Sequence, residues 1–309
     1  MEVVRDCLNK VEEAFAKGEF KDVMKLATEG LEAAMSAEGR KEAIDALDGT
    51  REAAMAYINK GVQQEGHLDT LLNEAHLFLL RSQSQLNSTK DEEDVAVAVE
   101  GAIEDVKQAS SLFAYLADDE GAIQSSYWLG IAQTHYGRAL HRAKRSEDAS
   151  DVLQSALEAL QESFSAARSL KEGDRSDRIN AVIRCAEGEV AFVLLSLAQI
   201  GVDEHLRAFM QGEAVDFDEL DTVEDDLNTA RDLLESELKR SSENETQSRL
   251  ASCFCSLGTV KMLLGDTDES MKMLTEGKRL FSLVGDANGE KRAEGLMKNV
   301  EVIKKTLES

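Results

Sequence analysis

Proline is absent from all 309 residues, where average usage of about 5% would place about fifteen. The strongest breaker of helices is therefore missing along the whole chain. Aromatic residues make up only 5%, with a single tryptophan, and β-branched residues dominate no window, so β-strands have little support. No run of about 18 apolar residues occurs, which argues against membrane insertion. Cysteine is scarce too, at Cys7, Cys185, Cys253 and Cys255, mostly within apolar helical faces. The opening stretch, MEVVRDCLNKVEEAF, is amphipathic and acidic, unlike a secretory leader. Together these point to a reducing compartment, and a cytoplasmic location is expected.

Positive charge is in deficit. Lysine and arginine number 35 against 60 acids, a formal charge of −25, and the sequence pI is near 4.6. Such a field repels phosphate backbones and anionic lipid headgroups, so nucleic-acid binding is not expected. A basic partner is compatible with it.

Catalytic and metal signatures are missing as well. None of the five histidines (His67, His76, His135, His141, His205) falls in Glu-x-x-His or His-Glu-x-x-His spacing. Phosphate-cradling loops and the Gly-x-Ser-x-Gly elbow do not occur. Cys253 and Cys255 stand about 200° apart at about 100° per residue, so they cannot share one metal and read as packing thiols. The acidic stretch DFDELDTVEDD lacks the central glycine of a calcium loop and reads as a solvated connector. His76, in NEAHLFLL, reads as a hydrogen-bonded core imidazole. No cofactor is expected, and the chain is not expected to be an enzyme.

What is present is apolar spacing at three and four residues, which predicts about twelve helices. They span about 2–17, 19–36, 40–63, 66–87, 91–117, 120–144, 147–170, 174–201, 219–242, 244–264, 267–284 and 287–308. Short Gly, Asp and Ser turns separate them, as at Gly265-Asp266 and Gly285-Asp286. Turns this short force successive helices into antiparallel contact. The longer interruption is an irregular connector at about 202–218, expected to hold a short helix and then an acidic loop. The final helix, 287–308, carries Lys and Glu on one face and suits a solvating cap.

Internal similarity goes further. LFAYLADDEGAIQSSYWL from Leu112 aligns with LFSLVGDANGEKRAEGLM from Leu280, pairing Phe113 with Phe281, Asp118 with Asp286 and Gly121 with Gly289 at an offset of 168 residues. The segments KGEFKDVMKLATEGL, AKRSEDASDVLQSAL and LGDTDESMKMLTEGK each give a turn, an acidic cap region, then small and apolar residues at helical spacing. Phe113, Phe164 and Phe281 are expected to pack, as are Met262, Met271 and Met273. Tyr127 and Trp128 are expected either to wedge between stacked repeats or to join a peptide pocket.

These segments resemble the tetratricopeptide-repeat (TPR) family, especially its longer kinesin-light-chain-like repeats of about forty-two residues. Phe254, Leu257 and Gly258 match the aromatic-x2-Leu-Gly element, while later in the same repeat Ser270 replaces the usual alanine, Leu274 the usual aromatic and Gly277 the usual alanine. Gly137, Ala149, Leu153 and Ala156 fit another repeat, with Leu140 at the tyrosine position. The closing proline of the motif is absent, and Lys261 stands where tyrosine is usual. The likeness is clear over 120–308 and patchy over 1–118.

The resemblance implies an all-α fold, a right-handed α-solenoid of antiparallel helix pairs forming one domain over 1–309. It also implies a protein-interaction scaffold that holds a peptide or protein segment in a concave groove. In that register Thr134, Arg138, His141 and Arg142 line the concave surface, and Arg145 extends the same basic face. Guanidinium forks there suit a carboxylate or phosphate of a partner. Alternatively the cluster pairs with acids of the neighbouring helix, such as Asp148, Asp151 or Glu158. Other readings are a structural subunit of a multiprotein complex, a compact dimeric adaptor for acidic or phosphorylated peptides, and a helical enzyme with groups converging from distant repeats.

Overall fold

The computed structural model describes residues 67–88, 95–240 and 243–307. These residues form nine α-helices and a short 3-10 turn, with no strand among them. The helices are α1 (His67–Ser88), α2 (Val95–Leu116), α3 (Asp119–Arg142), α4 (Ser146–Ser169), α5 (Asp177–Gln211), α6 (Phe217–Arg240), α7 (Asn244–Leu263), α8 (Thr267–Val284) and α9 (Ala287–Leu307). The 3-10 turn, Glu172–Asp174, precedes α5. Nine of the about twelve expected helices thus fall among the described residues, and those expected at 2–17, 19–36 and 40–63 lie outside them.

The turns show why the helices stop where they do. After α8, Gly285 takes φ +73°, its N–H donates to the Ser282 carbonyl, and Asp286 N–H donates to the Phe281 carbonyl at 2.9 Å. This left-handed closure satisfies carbonyls that the helix end would leave unpaired. Asp286 then starts α9, its Oδ1 accepting from Gly289 N–H at 2.9 Å. The α2–α3 turn is built the same way. Asp118 N–H donates to the Phe113 carbonyl at 3.0 Å, and Asp118 Oδ1 accepts from Gly121 N–H at 3.1 Å. Ala117 holds the left-handed position there, at φ +53°.

One further contact completes this module. A Cβ on Gly121 would fall 2.1 Å from the buried Phe113 ring, and one on Gly289 2.3 Å from the Phe281 ring. Each glycine makes room for the aromatic ring of the preceding helix. The Phe, Asp and Gly that align at an offset of 168 residues are thus one physical device used twice.

The segment 202–218 differs from the irregular connector expected. Helix α5 continues through it to Gln211, because Ala198, Val202 and His205 fall at helical spacing and are buried. Gly212 then closes the helix at φ +73°, and only 212–216 is non-helical. The acidic stretch DFDELDTVEDD is not a connector either. Asp216 Oδ1 accepts from the N–H groups of Asp218 and Glu219 at 3.0 and 3.2 Å, so it caps α6. The acids that follow occupy the first turns, where the helix dipole favours negative charge. Leu220, Val223, Leu227, Ala230 and Leu234 supply the buried stripe of the same helix.

The chain divides into two compact units, which among described residues comprise 67–140 with Glu158–Val182, and His141–Leu157 with 183–307. In the first, α1 packs on α2, joining Ala75, Phe78 and Leu79 to Val106, Ala109 and Phe113, with Trp128 and Leu129 of α3 against them. In the second, α7 packs on α6, α8 and α9 around Leu195, Leu227, Leu257, Leu274, Phe281 and Val300. Each such leucine contributes about 1.5–3 kcal/mol by leaving water. Helices α7 and α8 come into close contact. Ser270 Oγ donates to the Gly258 carbonyl at 2.6 Å, while Gly277 lies against the Ala251 carbonyl and Cys255 Sγ.

Candidate functional site

The five residues expected to bind a partner do not share one environment. Thr134 is buried on α3, and its hydroxyl donates to the Gly130 carbonyl at 2.7 Å. Its side chain is thus turned away from solvent. Arg138 is half-buried on the same helix. The boundary between the two units falls after Leu140, which assigns Thr134 and Arg138 to the first and His141, Arg142 and Arg145 to the second.

In that second unit, His141 Nε2 lies 3.4 Å from Asp203 Oδ2. Arg145 Nε donates to Asp148 Oδ2 at 2.7 Å, three residues on. The Arg145–Asp148 pair is one of the acid pairings that the sequence allows. Both side chains are largely exposed, so the pair contributes little. Arg142 is exposed and enters no ion pair among the described residues.

The cysteine pair reads clearly. Cys253 Sγ donates to the Leu227 carbonyl of α6 at 3.2 Å, whereas Cys255 Sγ lies beside Gly277 of α8. The two thiols thus face different neighbouring helices. Burial pushes the Cys253 thiol up to about 12 and the Cys255 thiol to about 11, which keeps both protonated and unreactive at neutral pH. His76 is half-buried with its ring edge-on to Phe113 at 5.1 Å, and burial lowers its pKa. Tyr127 is buried edge-on to Trp128 at 5.6 Å, and Trp128 packs against the first unit's core.

Two features of the second unit escape sequence reasoning. The first centres on Arg249 of α7, which donates to Glu189 Oε1 at 3.0 Å and Glu245 Oε1 at 2.7 Å. Its guanidinium carbon lies 4.0 Å from the centroid of the Phe192 ring. Nearby, Glu237 of α6 rests its carboxyl where a Cβ on Gly188 would otherwise sit. Glu189 and Arg249 are 60 residues apart, so no local pattern marks them. The second feature is at the α5–α6 turn, where Phe209, Met210 and Phe217 are exposed. A hint is legible in FMQGEAVDF, where large apolar residues flank a glycine turn.

No group of three or more His, Cys, Asp or Glu among the described residues is arranged to hold a metal ion. No described helix is long and apolar enough to cross a membrane.

No family model and no curated protein matches the chain. Among solved structures it is similar to a circular tandem repeat protein with a novel repeat topology and enhanced subunit contact surfaces. That match has 14% identity and a TM-score of 0.23, covering 99% of this chain and 89% of the other. It is also similar to a de novo designed helical repeat protein, at 14% identity and a TM-score of 0.18, over 82% of this chain and 97% of that one. Likeness at this level carries no argument about function.

Proposed function

We propose that the protein is a non-enzymatic interaction scaffold, a right-handed α-solenoid of TPR-like helix pairs that binds a peptide or protein segment. The observation that carries this reading is the recurrence of one turn module, Phe113–Asp118–Gly121 and Phe281–Asp286–Gly289, at an offset of 168 residues. A device repeated at that distance fits a chain assembled from similar hairpins. A hairpin cannot bury both of its faces, so stacked neighbours cover one another and leave an extended surface for ligands. Such a surface needs no catalytic constellation. Exposed Arg142 is suited to a carboxylate or phosphate on the bound segment.

The test begins with affinity capture on the full chain, followed by titration of each identified partner in purified form. Against Arg138→Glu/Arg142→Glu, the partner's Kd is expected to weaken by about tenfold or more, with helicity retained. An unchanged Kd removes the arginines from the binding surface. A partner that stays bound in a stoichiometric complex despite the double substitution favours a structural subunit instead.

A further inference from the structure

We propose that the α5–α6 turn is a docking surface for a basic, amphipathic segment of a partner protein. Six large apolar side chains are exposed among the described residues, and three of them, Phe209, Met210 and Phe217, fall within nine residues. They are 41%, 79% and 58% exposed, respectively. Leaving such side chains in water forgoes the stabilisation that burial gives elsewhere, and clustered apolar exposure is the mark of an interaction surface. Phenylalanine and methionine are also residue types enriched in the cores of interfaces.

The turn that carries them is firmly built. Gly212 N–H donates to the Phe209 carbonyl at 3.1 Å and Glu213 N–H to the Ala208 carbonyl at 2.9 Å. Val215 packs into the second unit's core, and Asp216 caps α6. Ala214, Val215, Asp216, Phe217 and Asp218 line an open hollow of about 480 Å3. The apolar groups are thus presented on an anchored turn beside a recess.

Charge decides the occupant. From Asp203 to Asp225 there are nine carboxylates and one arginine, Arg207. Asp203, Glu204, Glu213, Asp216, Asp218, Glu219 and Asp221 are all exposed in the stretch that carries the apolar group, with Asp203 facing His141 at 3.4 Å and Glu219 facing His205 at 3.5 Å. A second copy of this chain would bring an identical acidic rim against the first, and nucleic acid or an anionic lipid surface would be repelled. A segment with lysine or arginine on one side and apolar residues on the other satisfies both halves of the surface. This inference goes beyond the scaffold reading and does not depend on Arg138 or Arg142, whose charge is opposite.

The experiment uses the full-length protein and a labelled synthetic helix made only of leucine and lysine on opposite faces. Fluorescence anisotropy is read at about 0.15 M salt, where weak long-range attraction is screened. A lysine–serine peptide of equal charge and a leucine–glutamate peptide serve as comparisons. The leucine–lysine helix is expected to bind most tightly and to protect 209–217 from hydrogen exchange. Met210→Ser/Phe217→Ser is expected to weaken it by about tenfold. Leu283→Ser/Val302→Ser, which removes exposed apolar groups elsewhere on the second unit, should leave it unchanged, and circular dichroism checks that both variants stay helical. Arg138→Glu/Arg142→Glu should also bind it normally, so loss of the scaffold reading and loss of this one are separable. Equal binding of the lysine–serine peptide, equal loss in both serine pairs, protection elsewhere or no binding would each overturn the proposal.

Discussion

Glu237 lies against the bare face of Gly188, half-buried, and its Oε2 accepts no hydrogen bond among the described residues. Burial raises its pKa; Glu189 and Glu243 push in the same direction, while Arg249 and Arg240 pull it down. An acid whose pKa is higher in the folded than in the unfolded chain binds more protons when folded, so stability falls as pH rises from the ordinary value of 4.5 through the raised one. Above that window the loss is constant. Glu237→Gln imitates the protonated form and is expected to raise Tm at pH 7, with the gain vanishing near about pH 3, where both states are protonated. Thermal melts at the two pH values decide it: a Gln variant no more stable than the parent at pH 7 would mean that Arg249 outweighs burial at this site.

At the scale of helices, glycine has opposite meanings in adjacent elements. Gly277 of α8 lies where a Cβ would come within 2.9 Å of the Ala251 carbonyl and of Cys255 Sγ. Part of that obstruction is backbone, so the helices must move apart to admit a methyl group. Gly295 of α9 has nothing within 4 Å of the corresponding position. Alanine inside a helix is better than glycine by about 1 kcal/mol when space allows, whereas overpacking costs about 1–3 kcal/mol. Gly295→Ala is therefore expected to stabilise the protein by about 0.5–1 kcal/mol, and Gly277→Ala to destabilise it. Urea unfolding of the two variants measures both signs, and matching signs would mean that the α7–α8 contact is not close. Sequence spacing places small residues at the Gly258, Ser270 and Gly277 positions, but it cannot say which glycine faces a neighbour's backbone.

For the whole molecule the dominant quantity is the net charge of −25. Attraction to a phosphate backbone needs a surface that releases condensed counterions, and an excess of carboxylates does the reverse. The protein is expected to leave duplex DNA and RNA unshifted in gel mobility assays at about 0.15 M salt, and to elute late from an anion exchanger. A salt-sensitive shift of either nucleic acid would reveal a basic surface strong enough to overcome the average. The same field bears on partner choice, because it favours basic segments at the α5–α6 turn and makes Arg142 a local exception.

The sequence alone was sufficient for the helices within the described residues, since proline is absent, apolar residues recur at helical spacing, and glycine followed by aspartate punctuates them. These signals are local: a left-handed residue, a capping carboxylate and a one-sided apolar stripe all act within a few residues. It also sufficed to pair Phe113 with Phe281 and Gly121 with Gly289, though not to explain them. Tertiary packing decided the rest. Only packing shows that each glycine makes room for an aromatic ring, that α5 runs on to Gln211, that Arg249 meets Glu189 across 60 residues, and that Thr134 is turned inward. Spacing determines which side of a helix is apolar, whereas the chain's return path determines what covers that side and which side chains, such as Phe209, Met210 and Phe217, are left uncovered.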